Sequence, residues 1–306
     1  MGKENPQSTK PNEKEGEENT MKVVFTLTSA ESRRLIAKAV VRMPQVRTAW
    51  EKAYVLLAGG TTNAFVAQEL TGDSSIEPGL CTAGISSDGL LCITDPETRR
   101  AYPHVFYKGQ PTEKTMPEGL NDYHQETVVI KGANAVDTAG NVGIITAGFD
   151  GGTVPRILGT VTSKGLTMIT PVGLEKLVPS VPASAKALAG AGHIDISMGA
   201  DCGMYCLSNT VVVTEIEAIR ILFEAEASLV CCGGVGGNEG AVTLAVDGEE
   251  EKLRAMVEYL EEEIKGEPPV KGNKGDCVTC RYRFCRYNGK RPEELPKWMK
   301  KKGIEK

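Results

Sequence analysis

The stretch with the clearest capacity for chemistry is a polar elbow at residues 131–137 (sequence KGANAVD), which directly follows an apolar run over residues 127–130. Apolar runs bounded by turn residues predict buried strands. Open α/β sheets bind their ligands where such strands end. We therefore expect Lys131, Asn134 and Asp137 to line a ligand site. The alternative is a tight turn between two core strands.

Two glycine-containing turns predict anion binding. The first, Gly59-Gly60-Thr61-Thr62, lies between a strongly apolar strand and a helical stretch. The second ends in Gly151, Gly152 and Thr153, just before another predicted helix. Glycines let backbone N–H groups approach an anion, hydroxyls donate to it, and a helix N-terminus carries partial positive charge. A simple helix cap is the alternative, and the spacing fits neither the Walker loop nor the dinucleotide fingerprint.

Candidate proton carriers lie near the ends of other predicted strands. His104 lies near the start of a predicted strand at 102–109, and Glu175 follows the end of another, next to Lys176. Imidazole titrates near neutral pH, and positioned carboxylates act as general bases. If the protein is an enzyme, we expect Asp137, Glu175 or His104 to carry the proton and Lys131 to stabilise developing negative charge. A structural histidine and a surface charge pair are the alternatives.

The C-terminal region contains a cysteine motif, C-x2-C-x4-C, formed by Cys277, Cys280 and Cys285. A C-x-x-C pair is a frequent bidentate chelate, and neighbouring arginines lower thiol pKa values. With a fourth ligand from elsewhere or an open position, the motif predicts an iron–sulfur cluster or zinc. Free or redox-active thiols are the alternative. The odd total of nine cysteines argues against a disulfide framework.

Composition sets the class of protein and its partners. The 306 residues are 41% hydrophobic and 25% charged, with no apolar N-terminal signal and no run near the ~18 apolar residues of a membrane span. We expect a cytoplasmic protein without a membrane partner. The net charge of −5 hides a basic tail, because residues 271–306 hold 12 Lys/Arg and 4 Asp/Glu. That tail lacks a nucleic-acid reading motif, so nucleic acid is not an expected partner. The sequence is compatible with a homo-oligomer.

The predicted elements divide the chain into four segments. Residues 1–20 lack large apolar side chains after the first residue and are expected to be disordered. Residues 22–208 predict an α/β ligand-binding domain with a central, largely parallel sheet and helices on both faces. Residues 209–266 predict a small α+β subdomain of order β-α-β-β-α, and residues 267–306 a basic, cysteine-containing tail.

Residues 22–208 resemble the superfamily of ribose-5-phosphate isomerase, glucosamine-6-phosphate deaminase, the sugar-binding domains of some repressors, and CoA transferases. The resemblance rests on the turn at 59–62 and the elbow at 131–137. It implies that both stretches hold the ligand. Lys131 and Asn134 stand where the isomerase has acids, and no Lys-Gly-Gly run follows, which argues against the pentose-phosphate isomerase reaction. The CoA-transferase nucleophile has no clear counterpart.

Together these features predict a cytosolic protein that binds a small anionic metabolite, phosphorylated or not. The leading hypothesis is an isomerase- or transferase-type enzyme with a metal or iron–sulfur site in its tail. The alternative hypothesis is a non-catalytic metabolite sensor or accessory protein of the same fold, since the superfamily's repressor members bind sugars without turning them over.

Overall fold

The computed structural model describes residues 20–148, 150–272, 274–282 and 285–300. The segment predicted to be disordered, apart from its last residue, lies outside these ranges. No helix within them is long and apolar enough to cross a membrane.

The strands of the described ranges are, in chain order, β1 (Thr20–Leu27), β2 (Tyr54–Leu57), β3 (Gly84–Ser87), β4 (Leu90–Ile93), β5 (Val105–Tyr107), β6 (Gln110–Pro111), β7 (Val128–Ile130), β8 (Ala135–Val136), β9 (Val142–Thr146), β10 (Thr167–Pro171), β11 (Gly203–Leu207), β12 (Val211–Val213), β13 (Glu226–Cys232) and β14 (Val242–Glu249).

The α-helices are α1 (Ser29–Arg42), α2 (Pro44–Lys52), α3 (Thr61–Thr71), α4 (Met116–Asn121), α5 (Thr153–Lys164), α6 (Val181–Leu188), α7 (Glu215–Phe223), α8 (Glu250–Glu263) and α9 (Lys297–Lys300). Short 3-10 turns lie at Leu174–Lys176, Ala191–His193 and Pro292–Glu294.

The central sheet has six strands in the order β12-β10-β7-β2-β5-β6. Neighbours among β12, β10, β7 and β2 are parallel, whereas β5 pairs antiparallel with β2 and with β6. The α/β class with a mainly parallel sheet is therefore confirmed. Strands β2 and β7 are buried along their whole length, as expected for continuous apolar runs covered on both faces. The four parallel strands all present their carboxyl ends at one edge of the sheet, which we call the carboxyl edge.

A second, antiparallel sheet has the order β1-β14-β13. Strand β1, at the start of the described chain, pairs along its whole length with β14, from Thr20 opposite Glu249 to Leu27 opposite Val242. Helix α8 contacts β1 and β14, and it buries an apolar stripe of Leu253, Met256 and Leu260. Strand β12 lies in the sequence just before α7 but belongs to the central sheet.

Helix α1 begins beside the carboxyl edge. Its N-cap is Thr28, which forms a capping box with Glu31. The next hydroxyl residue, Ser29, is therefore not needed as the cap, and its side chain points to a charged group described below. The helix buries Leu35, Ile36 and Val40 in the main core and contacts α3 and α7, which fixes its first turn relative to the sheet.

Candidate functional site at the carboxyl edge

Asn63 joins the ends of two parallel strands. Its side-chain Nδ2 donates to the carbonyl oxygen of Ala58, after β2, at 2.6 Å and to that of Ile130, at the end of β7, at 3.1 Å. Gly132 lies against the same group, since a Cβ added there would come 3.6 Å from Asn63 Oδ1 and 3.6 Å from the carbonyl oxygen of Pro171. The ends of β2, β7 and β10 therefore meet around Gly132.

Lys131 is a buried cation at this meeting point. The side chain keeps some solvent access, but protein atoms surround the ammonium group densely, and this desolvation lowers the pKa of Lys131 to about 8. Its Nζ donates only a long bond, 3.4 Å, to the carbonyl oxygen of Gly132. Within the described residues, no carboxylate lies within ion-pair distance of Lys131. Such a group is suited to pairing with an anionic ligand.

Lys176 is a second buried lysine at the same edge. Its Nζ donates to the carbonyl oxygen of Ala133 at 3.2 Å and lies 4.0 Å from Glu175 Oε1. Burial lowers the pKa of Lys176 to about 8, and the charges of Arg33 and Lys131 act in the same direction, whereas Glu175 opposes them. The two lysines are therefore close enough to repel each other electrostatically.

Glu175 is held between α1 and the C-terminal part of the chain. Its carboxylate accepts hydrogen bonds from Ser29 Oγ at 2.5 Å and from Arg33 Nη2 at 2.6 Å. The glycine-rich loop at 233–240 closes over it, because a Cβ added to Gly240 would come 2.7 Å from Glu175 Oε2. The side chains of Arg33 and Glu175 are only 16% and 12% exposed, so water screens this ion pair weakly.

Glu215 begins α7, two residues after the end of β12, and is fully buried. Its Oε2 accepts from the backbone N–H of Leu174 at 2.9 Å. Burial raises the pKa of Glu215, while the bonds from Leu174 and the nearby Ser32 hydroxyl oppose that shift. The carboxyl group thus faces the back of the turn that carries Glu175.

Unpartnered polar atoms concentrate at this edge. Five buried side-chain polar atoms in the described ranges lack a well-oriented hydrogen-bond partner, and four of them surround the carboxyl edge: Ser32 Oγ, Arg33 Nε, Asn63 Oδ1 and Glu215 Oε1. Buried polar atoms without partners are rare in folded proteins, because each costs about 1–3 kcal/mol. Ser32 Oγ and Glu215 Oε1 lie near each other and interact. The missing partners of Arg33 Nε and Asn63 Oδ1 therefore indicate that a ligand or ordered water completes the site.

The glycine turn at residues 59–62 adds a helix N-terminus to the site. Helix α3 begins at Thr61, its N-cap is Gly60, and no side chain caps it. The backbone N–H groups of the first helical turn are therefore not used by a side-chain cap, and the positive end of the helix dipole adjoins the end of β2. The structure thus brings the predicted Gly59–Thr62 turn together with the predicted Lys131.

His104 borders the same turn. Its Nδ1 lies 2.8 Å from the carbonyl oxygen of Leu57, at the end of β2. Its ring packs edge-on against Tyr102 at a centroid distance of 5.0 Å, and its Cε1 would lie 4.0 Å from a Cβ on Gly59. The imidazole is therefore placed beside the glycine turn with one ring nitrogen already engaged.

Asp137 and Asn134 have contacts that organise their own turn. Both Asp137 oxygens accept bonds, from the backbone N–H groups of Ala139, Asn141 and Val181 and from the Asn141 side chain. Partial desolvation raises the pKa of Asp137, but these hydrogen bonds outweigh it and lower the pKa overall. Asn134 Oδ1 accepts from the backbone N–H of Ile145 at 2.9 Å. For these two residues the contacts favour the turn interpretation.

The second glycine turn is not brought to Lys131 by any described contact. Gly152 is the N-cap of α5, and its N–H donates to the Asp150 carboxylate at 3.1 Å. Gly151 has a φ of +74° and packs against Tyr205, whose hydroxyl leaves no room for a Cβ. An acidic side chain thus already occupies the helix end that starts at Thr153.

The three motif cysteines lie far along the chain in a separate cluster. Cys277, Cys280 and Cys285 are free thiols, as are the other six cysteines. Across the described ranges, no group of three or more His, Cys, Asp or Glu side chains is placed to hold a metal ion.

A cavity of about 660 Å³ lies near the glycine turn rather than over the lysines. Its walls include Trp50, Phe106, Arg100, Cys81 and Tyr102. The last two also support the turn, because Cys81 accepts from the N–H of Gly60 at 3.0 Å and the Tyr102 hydroxyl donates to Ala58 at 2.7 Å. Lys131, Lys176 and Glu175 are not among the lining residues, so we assign the candidate site on charge and hydrogen bonding, not on volume.

Sequence reasoning missed Arg33, Asn63 and Glu215 as members of the site. Glu215 follows the end of a parallel strand, so the strand-end rule could have identified it. Asn63 lies one residue beyond the predicted turn. Arg33 carries no comparable signal, because it is one of two adjacent arginines on a helix that precedes the central sheet.

Comparisons with models of known protein families, with curated proteins and with solved structures give no match for this chain. The superfamily resemblance stays a prediction carried by residues 59–62 and 131–137.

Proposed function

We propose that the protein binds a small anionic metabolite, such as a sugar phosphate or a carboxylate, at the carboxyl edge of its central sheet. We further propose that it converts this metabolite as an isomerase- or transferase-type enzyme. The observation that carries the proposal is Lys131, a buried ammonium group at a strand end without a carboxylate partner among the described residues.

Three features support an anionic ligand at this place. An anion beside Lys131 and Lys176 would offset the cost of burying two like charges. The uncapped N-terminus of α3 offers N–H groups and a positive dipole next to them. Unpartnered atoms such as Asn63 Oδ1 and Arg33 Nε would find partners in the polar groups of a metabolite or in its bound water. The superfamily resemblance implies the same class of ligand.

The proposed chemistry is proton transfer beside a carbonyl or acyl group. With a pKa of about 8, Lys131 is roughly nine-tenths protonated at pH 7. In that form it stabilises a developing oxyanion, and it can also exchange a proton near neutral pH. Glu175 and His104 are the candidate proton carriers that adjoin this edge, through Lys176 and through Gly59 respectively.

The second candidate function, a non-catalytic sensor, is favoured by the hydrogen bonding of the carboxylates. Ser29 and Arg33 occupy both oxygens of Glu175, and backbone N–H groups occupy those of Asp137. A carboxylate whose oxygens are both engaged must release a donor before it can take a proton from a ligand. Binding without turnover would follow if neither group is released when the ligand enters.

A thermal-shift screen with sugar phosphates, carboxylates and CoA esters tests binding, and turnover assays on every hit separate enzyme from sensor. We expect Lys131→Met to abolish the shift that a hit produces in the wild-type protein. The matched control is Lys186→Met, which removes an exposed lysine on α6 and should leave the shift unchanged. An equal shift in Lys131→Met and wild type would rule out the site.

A further inference from the structure

We propose that Cys92, on β4, completes a four-thiolate metal site with Cys277, Cys280 and Cys285. The C-terminal motif supplies three of these thiols from one short segment. The structure adds the fourth from a strand that lies almost two hundred residues earlier in the chain. This inference is independent of the function proposed for the carboxyl edge.

Backbone pairing brings the two segments side by side. Thr94 forms an antiparallel bridge with Lys274, and the N–H of Gly275 donates to the carbonyl oxygen of Ile93 at 3.0 Å. Continuing this antiparallel register places Cys92 opposite Asp276, one residue before Cys277. Main-chain pairing therefore brings the segment that holds Cys277 alongside β4.

Packing gathers the motif cysteines around the same point. Cys277 and Tyr287 form a small buried cluster with Leu90, and Cys92 and Cys285 pack against it. The loop after the motif folds back, since the N–H of Gly289 donates to the carbonyl oxygen of Cys277 at 2.8 Å. In the same way, the side chain of Asn288 donates to the carbonyl oxygen of Cys280 at 2.6 Å.

Hydrogen-bond donors already point at the sulfur atoms. The N–H of Tyr287 donates to Cys285 Sγ at 3.4 Å, and Lys274 Nζ lies 3.6 Å from Cys277 Sγ. Donors of this kind stabilise thiolates and orient metal ligands. Cys277 and Cys280 lie close enough to Cys92 to interact with it electrostatically.

The side chains must still rotate to converge, because no three of the described ligand-type residues hold an ion as they stand. A set of four thiolates holds either a tetrahedral Zn²⁺ ion or an iron–sulfur cluster. Cys202 is the competing fourth ligand. Cys202 is buried and lies near Tyr282. Burial raises the pKa of Tyr282, and Cys280, Asp201 and Cys202 raise it further. Cys92 is preferred because main-chain hydrogen bonds join its strand to the motif.

The test is metal content, acid-labile sulfide and the visible spectrum of the full-length chain purified without oxygen, followed by titration with Zn²⁺ after chelation. We expect either zinc or iron with sulfide in the wild-type protein, and Zn²⁺ binding at least about tenfold weaker in Cys92→Ser. Cys202→Ser and the control Cys231→Ser, an exposed position on β13, should bind Zn²⁺ as the wild type does. A wild-type chain that takes up neither metal overturns the site.

Alkylation mapping of the wild-type chain tests the same assignment without requiring that a cysteine variant folds. In the wild-type chain, bound Zn²⁺ should protect Cys92, Cys277, Cys280 and Cys285 from iodoacetamide and leave Cys231 reactive. Equal labelling of Cys92 with and without Zn²⁺, or protection of Cys202 in its place, would overturn its assignment.

Discussion

The ammonium group of Lys176 lies 4.0 Å from the Glu175 carboxylate, yet its hydrogen bond goes to the carbonyl oxygen of Ala133 at 3.2 Å. Glu175 instead accepts from Arg33 and Ser29. Lys176 therefore links the segment after β10 to the segment after β7, and Glu175 links the same segment to α1. Lys176 shares Glu175 with Arg33, and it lies next to Lys131, which has no carboxylate partner among the described residues. The carboxyl edge is therefore suited to an anion.

Removing the charge of Glu175 should destabilise the fold. Glu175→Gln leaves the Arg33 guanidinium in a poorly solvated position without a carboxylate, and we expect a loss of about 2 kcal/mol in the free energy of unfolding. The figure is below that of a fully buried pair because both side chains keep some exposure. Urea unfolding monitored by circular dichroism measures it.

The control for this variant is Asp247→Asn, which breaks the Lys22–Asp247 pair, whose side chains are 61% and 60% exposed. Solvent screening should limit its cost to about 0.5 kcal/mol. Equal costs for the two variants would show that the Arg33–Glu175 pair behaves as a surface pair.

The glycine-rich loop should depend on Gly240 for its contact with Glu175. Gly240 has a φ of +81°, and a Cβ there would come 2.7 Å from Glu175 Oε2. Gly240→Ala therefore combines backbone strain with displacement of the carboxylate, and we expect a cost of about 2–3 kcal/mol. The matched control is Gly236→Ala, where φ is +63° and no atom lies within 4 Å of the added Cβ.

Gly236→Ala should show the strain alone, about 1 kcal/mol. Both variants are compared by urea unfolding, and the difference between them reports the contact with Glu175. If the two alanine variants lose the same stability, the loop does not press on that carboxylate in solution.

The central sheet and the position of Lys131 could be predicted from the sequence, because continuous apolar runs and the residues that follow them are local features. The role of Arg33 could not, since its contact with Glu175 joins residues 142 positions apart. Pairing of β1 with β14 is likewise a long-range event. Local patterns do not encode which distant segment an edge strand selects.

Asp137 shows the opposite limit of sequence reasoning. A carboxylate after a buried strand has the pattern of a site residue, but Asp137 accepts bonds from its own turn and from Val181 at the start of α6. Asx turns of this kind satisfy the side chain locally. Sequence alone does not distinguish a carboxylate that caps its own turn from one that remains available to a ligand.

The buried lysines should make stability rise with pH in the alkaline range. The pKa of Lys131 is about 8 in the fold against an ordinary value of 10.5, so between these values the unfolded chain holds a proton that the folded chain has lost. Stability rises with pH wherever the unfolded state binds more protons. Well below pH 8 the cost of burying the charge, about 3 kcal/mol, is present in full.

Lys131→Met should therefore unfold at higher urea concentration than the wild type at pH 7, and its advantage should shrink towards pH 10. The comparison uses urea midpoints of both proteins at matched pH and ionic strength. Lys186→Met provides the baseline for loss of an exposed lysine. Parallel pH profiles for wild type and Lys131→Met would contradict the lowered pKa.

Anion binding should itself depend on this protonation. Sulfate is a suitable probe because its charge does not change near pH 8, so any change in affinity reports the protein. An anion favours protonated Lys131 and Lys176, both with a pKa of about 8, and well above that value affinity should fall by about tenfold per pH unit for each lysine that must be protonated. Titration calorimetry at constant ionic strength, to hold screening fixed, measures the profile.

Lys131→Arg keeps a permanent charge and should flatten the decline, whereas Lys186→Met should reproduce the wild-type curve. If sulfate affinity does not change between pH 7 and pH 10, neither lysine contacts the anion.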